Sequence, residues 1–327
     1  MKTVKWAMVG TGLMANLILK DFALSEGSEL VALVSRDAEK AQAKLAAEGV
    51  EARVITFEQA LTEPEIDVIY VATPHASHFD LAKRALEAGK HVLVEKAFTM
   101  DAAEARELKR IAQQQSRFLM EAMWTKFQPL LIEVKRLVDA GEIGELKLIE
   151  GNFGRSMTFD NSHRLFNFEQ GGGSTLDQGV YTTNLAVWFA GSKVAKQTTT
   201  GELFSNGADA SAYSLFEFEN GVTAVAFSSL VASLGTEGRL VGNRGSIQLL
   251  DHFWFAEEAR VVRTVDGEDQ PAETIRMPRK GAGYTHMIEA VSSAVREGKL
   301  ESEQHPLDFT IEVMELLDEA RRQINSR

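Results

Sequence analysis

The sequence predicts an α/β protein in which a doubly wound parallel sheet of the Rossmann type precedes a second α/β domain with a large, mostly antiparallel open sheet. Two observations favour this fold class. Short apolar runs alternate with helical stretches over the first 120 residues, and longer runs that alternate polar and apolar side chains follow Pro129. Uninterrupted apolar strands are typical of parallel sheets with both faces covered, whereas alternation is typical of a sheet with one solvated face.

In the first part of the chain, strand-like and helix-like segments follow one another at regular intervals. The expected strands are 6–9, 30–34, 68–71, 92–94 and 118–120. The expected helices are 15–23, 38–47, 77–88 and 102–115. Because neighbouring parallel strands need crossover connections, this order predicts helices on both faces of one sheet.

The pattern changes after Pro129. A helix is expected at 130–140, ended by Gly141, and two more are expected at 285–297 and 307–323. Between them, runs such as LKLIEGNF and AYSLFEFENGVTAVAF alternate with period two, and the pair Asn220-Gly221 predicts a hairpin with a type I′ turn. We expect the domain border within residues 121–128.

The composition excludes several classes of function. A formal net charge of −12 disfavours nucleic acid and anionic membranes, because both bind surfaces with excess Lys and Arg. The chain has no cysteine, which excludes disulfides, thiolate zinc sites and a catalytic thiol and leaves the cytoplasm as the expected location. No apolar run approaches the roughly 18 residues of a membrane span. The expected partner is therefore a small molecule.

The first predicted strand leads into GTGLMA at residues 10–15, a G-x-G-x-x-A sequence at a strand-to-helix turn. Gly10 allows the tight turn, Gly12 lets the backbone approach a pyrophosphate, and Ala15 lets the helix pack on the sheet. In this context the pattern predicts dinucleotide binding rather than a plain glycine turn. The contacting residues are expected to be Gly10, Thr11, Gly12, Leu13 and Met14.

The end of the second strand predicts which dinucleotide binds. NAD is usually held there by an acidic residue about 20 positions past the glycines, but this strand ends in Val34-Ser35-Arg36. A hydroxyl and a guanidinium suit a 2′-phosphate, and Lys40 adds positive charge. The alternative is that Arg36 is simply solvated, and the pattern favours NADP(H) over NAD(H).

Three loops with polar groups follow strands at the carboxyl edge of the sheet, where doubly wound folds bind their ligands: TPHASH, EKAFT and EAMWTKF. The first two supply further candidates for coenzyme contact, which are Thr73, Pro74, His75, His78, Glu95 and Lys96. A third ligand with metal-site spacing does not accompany the two histidines, so we expect no metal.

A second candidate region is GGGSTLDQGVYTTNLAVWFAG at residues 171–191. Three glycines precede a helical run in which Asp177 and Tyr181, four residues apart, share one face. A carboxylate and a phenol would then point the same way. The structural alternative is that Asp177 favours the helix start and Tyr181 is a half-buried core residue, and spacing alone leaves both open.

Together, GTGLMA, VSRD, ATPHASH, VEKA, EAMWTKFQP and GGGSTLDQGVY resemble the Gfo/Idh/MocA family of oxidoreductases, and within it the branch of dimeric dihydrodiol dehydrogenases and NADP-dependent D-xylose dehydrogenases. The likeness covers nearly the whole chain. It implies an NADP-binding Rossmann domain at 1–123 and a substrate-binding and dimerisation domain at 124–327, whose last helix can pack back on the first. A homodimer or homotetramer through the C-terminal sheet is expected.

The resemblance also implies roles for individual residues. Lys96 matches the lysine of the family's Glu-Lys-Pro motif beside the nicotinamide, Tyr181 matches the acid/base partner, and Asp177 matches the aspartate four residues earlier. The substrate pocket is expected to contain Trp124, Phe153, Arg164 and Tyr181.

These roles agree with the chemistry of alcohol oxidation, which needs a proton acceptor at the hydroxyl and a hydride acceptor at the carbon. An ammonium group next to Tyr181 would lower the pKa of its phenol from about 10, and Lys96 would supply that charge. Asp177 is expected to orient a hydroxyl or the lysine. The substrate is expected to be a sugar, a polyol or a trans-dihydrodiol.

One residue departs from the family pattern, because the motif's proline is replaced by Ala97. A cis peptide bond costs about 2.5–4 kcal/mol without proline, so a trans bond between Lys96 and Ala97 is predicted. Two other functions remain open. They are a catalytically silent NAD(P)-sensing protein and a glycoside-cleaving enzyme that recycles NAD, and the retention of Lys96, Asp177 and Tyr181 favours the dehydrogenase over both.

Overall fold

The computed structural model describes residues 2–326 and divides into two compact units. The first contains the chain up to Phe127 together with Lys280–Glu312. The second contains Gln128–Arg279 together with the chain from Val313. Each unit combines one sheet with helices, which confirms the α/β fold class.

The sheet of the first unit is parallel and has six strands. These are β1 (Val4–Val9), β2 (Ser28–Val34), β3 (Arg53–Ile55), β4 (Val68–Val71), β5 (His91–Val94) and β6 (Leu119–Glu121). Their order, β3-β2-β1-β4-β5-β6, reverses direction at β1 and β4 and is that of a doubly wound fold. All four residues of β4 are fully buried, as expected of a strand with both faces covered.

The helices of the first unit are α1 (Leu13–Leu24), α2 (Ala38–Glu48), α3 (Phe57–Thr62), α4 (His78–Glu87) and α5 (Ala102–Gln115), with α8 (Thr285–Arg296) from the later segment. Asp37 and Asp101 cap α2 and α5, because each side chain accepts a backbone N–H of the first turn. Trp6 on β1 is fully buried and donates its indole N–H to Ser292 of α8 at 3.0 Å.

The sequence did not indicate β3 and α3. The strand is three residues long, lies at the sheet edge and contains an exposed Arg53, so it carries no apolar run that could be recognised. The helix has six residues and is held by a capping box between Thr56 and Gln59. Thr56, between these two elements, lines the cavity at the carboxyl ends of β1, β2 and β4.

The second unit contains a nine-stranded sheet made of β7 (Leu146–Gly154), β8 (Val194–Leu203), β9 (Asp209–Phe218), β10 (Thr223–Ser229), β11 (Gly238–Gly242), β12 (Gly245–Leu249), β13 (Glu258–Val265), β14 (Glu268–Asp269) and β15 (Glu273–Arg276). The order is β14-β13-β12-β11-β7-β10-β9-β8, and β15 pairs with β13. β7 and β10 are parallel and the other pairs are antiparallel, so the mostly antiparallel sheet is confirmed.

Two helices belong to the second unit, α6 (Pro129–Asp139) and α7 (Val180–Ala190). The last helix, α9 (Leu307–Asn325), begins in the first unit and ends in the second. Within residues 2–326, no helix combines the length and apolar character needed to cross a membrane.

The hairpin predicted at Asn220-Gly221 is present between β9 and β10, but the turn is not of type I′. Gly221 has a φ of 82°, whereas Asn220 is not among the residues with positive φ. The Asn220 side chain donates to Ala190 O at 2.9 Å and accepts the N–H of Val222 at 3.2 Å. These contacts favour a turn with one left-handed residue, which a dipeptide pattern does not distinguish from type I′.

Candidate active site

A cavity of about 680 Å³ lies at the carboxyl ends of β1, β2 and β4. Eight of the residues expected to contact the coenzyme line it: Gly10, Thr11, Gly12, Ser35, Arg36, Lys40, Thr73 and Pro74. The remaining candidates lie outside the lining of this cavity: Leu13, Met14, His75, His78, Glu95 and Lys96.

The glycine loop fits a bound phosphate for two reasons. Gly10 has a φ of 118°, and a Cβ added there would lie 2.4 Å from Ala72 O. Gly12 is the N-cap of α1, and a Cβ added to it would meet nothing within 4 Å. Because a glycine cap has no side chain to satisfy the first N–H groups of the helix, those groups are available to an anion.

The end of β2 combines a hydroxyl, a guanidinium and a carboxylate in the cavity lining. The Ser35 hydroxyl accepts the N–H of Asp37 at 3.1 Å. Asp37 also lines the cavity, but its Oδ1 accepts the N–H of Lys40 at 3.0 Å as the cap of α2. This carboxylate is therefore engaged in capping, and Arg36 and Lys40 supply the positive charge next to it.

The far end of the cavity contains residues that the sequence did not indicate. Phe57, Glu58, Leu81 and Arg84 line it. The Arg84 guanidinium lies 5.0 Å from the centroid of the Phe57 ring and forms an ion pair with Glu58. Phe57 and Glu58 lie on α3, which the sequence did not indicate. Leu81 and Arg84 lie on α4, a helix that was expected, but its sequence carries no signal for a contact with the coenzyme.

The two histidines after β4 face main-chain carbonyl groups. His75 Nε2 lies 3.2 Å from Lys96 O. His78 is fully buried, with Nδ1 3.0 Å from Ala97 O and Nε2 2.7 Å from Thr73 O. Burial lowers the pKa of His78, an effect that these carbonyl contacts oppose. Among residues 2–326, no three His, Asp or Glu side chains are arranged as metal ligands.

The expectation of a trans bond between Lys96 and Ala97 is wrong, because this bond is cis. The local preference of a peptide bond without proline favours trans, and the sequence shows only this preference. In the fold, the carbonyl group of this bond, Lys96 O, is in contact with His75 Nε2, and that of the next bond, Ala97 O, is in contact with His78 Nδ1. Ala97 is fully buried. The backbone path is thus set by tertiary contacts that lie about 20 residues earlier in the chain.

Glu95 is buried, at 4% exposure, beneath the loop that carries Lys96. One carboxylate oxygen forms a hydrogen bond with the Tyr70 hydroxyl, and the other accepts the N–H of Lys96 at 3.2 Å. Burial raises the pKa of Glu95 to about 7, although Tyr70 and Lys96 oppose the rise. The side chain therefore faces the protein interior.

In the second unit, Asp177 lies in a π-helical turn, Thr175–Gly179, that leads directly into α7. Its Oδ1 accepts hydrogen bonds from both terminal nitrogens of Arg164, Nη2 at 3.2 Å and Nη1 at 3.3 Å. Arg164 and Asp177 are thus a pair, which the sequence did not indicate. The extra residue of a π turn leaves no recognisable sequence pattern, although such turns are frequent at functional sites.

The start of this turn is anchored by Asp209 on β9. Its Oδ2 accepts hydrogen bonds from Ser174 Oγ at 2.8 Å, Thr175 N at 2.6 Å and Thr175 Oγ1 at 2.7 Å. The backbone of Gly173 lies so close to Asp209 that a Cβ added to Gly173 would be 2.3 Å from Asp209 Oδ1. The glycine run therefore allows the backbone to approach a buried carboxylate, and that contact fixes where the helix begins.

Tyr181 is 6% exposed as a residue, and its ring lies among other aromatic rings. The Phe153 and Trp254 rings are stacked, with centroids 3.8 Å apart, and both lie within 6.0 Å of the Tyr181 ring. Trp254 was not expected from the sequence, since it lies in a short helical segment far along the chain. In the first unit, Trp124 stacks on Tyr284 at 4.1 Å.

Family models match most of the chain. The model described as "Oxidoreductase family, NAD-binding Rossmann fold" matches residues 4–123, and the "GFO/IDH/MocA C-terminal domain" matches residues 131–248. The chain belongs to the Gfo/Idh/MocA family of oxidoreductases. The family expected from the sequence motifs is therefore confirmed, and this Gfo/Idh/MocA chain is an oxidoreductase with a dinucleotide-binding Rossmann domain.

Two curated relatives are similar to this Gfo/Idh/MocA chain over nearly its whole length. D-xylose 1-dehydrogenase (NADP(+)) of Hypocrea jecorina is 33% identical, with 98% of this chain and 92% of the relative covered. Trans-1,2-dihydrobenzene-1,2-diol dehydrogenase of Xenopus laevis is 30% identical, with 98% of each chain covered. Both names belong to the branch expected from the motifs.

Solved structures share the fold of this Gfo/Idh/MocA chain at lower identity. Aldose-aldose oxidoreductase from Caulobacter crescentus superimposes with a TM-score of 0.88 at 23% identity, with 99% of this chain and 98% of that chain covered. Levoglucosan dehydrogenase gives a TM-score of 0.87 at 17% identity with the same coverage. These likenesses show the fold.

Proposed function

We propose that the protein is an NADP-dependent dehydrogenase or reductase that acts on a hydroxyl-bearing carbon of a sugar, a polyol or a ring diol. One observation carries the proposal. A chain that retains Lys96, Asp177 and Tyr181 is similar over nearly its full length to a sugar dehydrogenase and a dihydrodiol dehydrogenase. A sensor protein has no need of such a set, and neither of these relatives is named as a glycoside-cleaving enzyme.

The cavity at β1, β2 and β4 is assigned to the coenzyme. The α1 N-terminus suits the pyrophosphate, and Ser35, Arg36 and Lys40 suit the 2′-phosphate of NADP through charge-assisted hydrogen bonds. The coenzyme named for the Hypocrea jecorina relative is the same. When bound, NADP(H) supplies the hydride acceptor or donor.

The protein's own groups handle the proton. Tyr181 is assigned the exchange of a proton with the substrate hydroxyl, because a positioned phenol can act as general acid or base when its pKa is lowered by a nearby cation. Lys96 is assigned the ammonium that supplies this charge. Asp177, which is paired with Arg164, is assigned the orientation of substrate hydroxyls.

The aromatic side chains indicate the shape of the substrate. The stacked Phe153 and Trp254 rings offer a flat apolar surface beside Tyr181, and Trp124 is held in place by its stacking on Tyr284. A pyranose face and a cyclohexadiene diol both present C–H groups to such a surface. The proposed substrate is therefore a ring with adjacent hydroxyl groups.

A substrate panel tests the proposed function. Aldoses, inositols and trans-dihydrodiols are mixed with the protein and NADP⁺, and NADPH formation is followed by absorbance, with NAD⁺ in a parallel series. The expected result is turnover of at least one ring diol or aldose, with a higher kcat/KM for NADP⁺ than for NAD⁺. Binding of NADPH without turnover of any compound would favour a sensor, and copurification of stoichiometric NAD would favour the glycoside-cleaving enzyme.

We also propose that the protein forms a homodimer or homotetramer through its C-terminal sheet. Leu215 on β9 is 39% exposed, and its cross-strand partner Val225 on β10 is only half-buried, so the two form an apolar pair on one face of the sheet. Burial of such side chains by a second copy would remove apolar surface from water.

A further inference from the structure

Beneath the loop that carries Lys96 lies a set of buried polar side chains that the proposed chemistry does not use. We call it the buried carboxyl cluster, and it consists of Tyr70, Glu95, Glu121, His305 and Thr310. Their exposed fractions are 0%, 4%, 1%, 0% and 0%. Titratable groups are expensive to bury, so a cluster of them next to a candidate catalytic lysine calls for a physical explanation.

Glu95 connects the cluster to the loop. Its Oε1 forms a hydrogen bond with the Tyr70 hydroxyl on β4, and its Oε2 accepts the N–H of Lys96 at 3.2 Å. A single side chain thus joins the middle of the parallel sheet to the backbone of Lys96. The position of the ammonium group depends on this backbone, because a side chain starts from its own Cα.

Glu121 adds a second buried carboxyl group at the end of the neighbouring strand, where it pairs with Val94. Its Oε2 accepts hydrogen bonds from His305 Nε2 at 3.0 Å and Thr310 Oγ1 at 3.2 Å. Its Oε1 and His305 Nδ1 have no hydrogen-bond partner within the described part of the chain. Two carboxylates in one buried region repel each other, so a negative charge on one disfavours a charge on the other.

The groups that act on Glu95 come from three neighbouring elements. Tyr70 on β4 and the Lys96 ammonium favour the ionised form, whereas burial and Glu121 on β6 favour the neutral form. Burial is the largest of these effects and raises the pKa of Glu95 to about 7. Burial, the largest effect, also lowers the pKa of His305. The hydrogen bond with Glu121 opposes this fall, and the charge of Lys126 adds to it.

We propose that Glu95 is a positioning residue for Lys96. Glu95 anchors the Lys96 amide and, by gaining or losing one proton, changes the electric field at the Lys96 ammonium group. The role rests on the proposed function of Lys96 and deepens it. An ionised Glu95 offsets part of the lysine's positive charge, and a protonated Glu95 leaves that charge fully effective on the substrate hydroxyl and on Tyr181. Oε2 can accept the Lys96 N–H in both states, whereas a proton on Oε1 reverses the hydrogen bond with Tyr70, whose oxygen then accepts. The backbone therefore stays in place while the field changes.

Glu95→Gln tests this role, because glutamine can accept the same N–H and is neutral at every pH. The experiment measures kcat from about pH 5.5 to about pH 9 with saturating NADP⁺ and the best substrate of the panel. The parent and the variant should have equal kcat at pH values where Glu95 is protonated. Where Glu95 is ionised, the kcat of the parent should be at least about threefold lower than that of the variant. Glu87→Gln, which removes an exposed carboxylate from the end of α4, is the matched control and should follow the parent throughout.

A ratio of parent to variant kcat that is the same at every pH would mean a structural contribution alone and would overturn the proposal, as would identical profiles. The NADPH dissociation constant should be unchanged in Glu95→Gln, since Glu95 does not line the coenzyme cavity. A tenfold loss of NADPH binding would also contradict the role, because it would make Glu95 a coenzyme-binding residue.

Tyr70→Phe keeps the proposal testable if Glu95→Gln does not fold. The phenol favours ionised Glu95, so its removal should move the midpoint of the kcat transition to higher pH. An unmoved midpoint would contradict the coupling. Lys96→Met distinguishes the two proposals: if it keeps full turnover, the proposed function of Lys96 fails, whereas loss of turnover with a pH-independent Glu95→Gln ratio defeats only the role of Glu95.

Discussion

At the scale of single residues, the coenzyme preference depends on Arg36. Arg36→Ala should raise KM for NADP⁺ about 10- to 100-fold, because one or two charge-assisted hydrogen bonds to a phosphate are lost. KM for NAD⁺, which has no 2′-phosphate, should change far less. Steady-state kinetics with both coenzymes give the result.

The control for this prediction is Arg110→Ala, which removes an arginine that is paired with Glu107 on the exposed face of α5. It should leave both KM values unchanged. An equal rise of both KM values in Arg36→Ala would mean that Arg36 contacts a part shared by the two coenzymes and would contradict its assignment to the 2′-phosphate.

Several residue roles could be inferred from the sequence, and others could not. Gly10, Gly12, Ser35 and Arg36 follow from strand ends and known coenzyme chemistry, and the structure brings them into one cavity. The partners of Asp177 and Glu95 could not be inferred. Arg164 lies 13 positions from Asp177 and Tyr70 lies 25 positions from Glu95, and contacts at such separations depend on tertiary structure.

At the scale of elements, the start of the π turn depends on the contact between Gly173 and Asp209. Gly173→Ala should lower the free energy of unfolding by more than about 1 kcal/mol, because the new Cβ meets a buried carboxylate and the backbone φ is unfavourable for alanine. Denaturant unfolding followed by circular dichroism measures the change.

Gly207→Ala separates these two causes. Gly207 also has a positive φ, of 89°, but an added Cβ would meet nothing within 4 Å. Its substitution should cost only the backbone contribution, so Gly173→Ala should be the more destabilising of the two. Equal losses would show that the close approach to Asp209 is not what requires a glycine in this position.

The predictability of the elements follows their apolar pattern. Five strands of the parallel sheet were visible as apolar runs, including β6 with only three residues. The equally short β3 was not, because it contains an exposed Arg53 and no fully buried residue. The π turn and the cis bond after Lys96 were missed for a different reason, since both are set by buried contacts with Asp209, His75 and His78. Local propensity does not contain that information.

At the scale of the whole molecule, the stability should depend on pH through Glu95. Its ordinary pKa of 4.5 applies to the unfolded chain, and its pKa in the folded protein is about 7. Between these values the folded state binds more protons, so the free energy of unfolding should fall as pH rises, by at most about 3 kcal/mol from this group. Glu95→Gln should remove this component, which urea unfolding at a series of pH values measures.

Glu87→Gln is again the control and should keep the parent's pH dependence, because that carboxylate is exposed. A slope that is identical in the parent, Glu95→Gln and Glu87→Gln would show that Glu95 titrates alike in the folded and unfolded states and would contradict its raised pKa.

The oligomeric state is also a property of the whole molecule. Light scattering of the parent should give the mass of a dimer or a tetramer, and Leu215→Asp should lower it, because a charge on the exposed face of β9 disfavours burial by a second copy. The comparison variant is Val265→Asp. It places the same charge at an exposed position on β13, near the edge of the sheet opposite to β9. A monomeric parent would contradict the proposed interface.

The most direct test of the account is the rate of NADPH formation by Lys96→Met and Tyr181→Phe on a substrate that the parent oxidises. Loss of a positioned acid/base group should lower kcat by about 100-fold or more, while NADPH binding is retained. Lys83→Met and Tyr213→Phe are the matched controls and should retain the parent's kcat. If Lys96→Met and Tyr181→Phe each keep nearly full turnover, the assignment of these two residues to the chemistry is wrong.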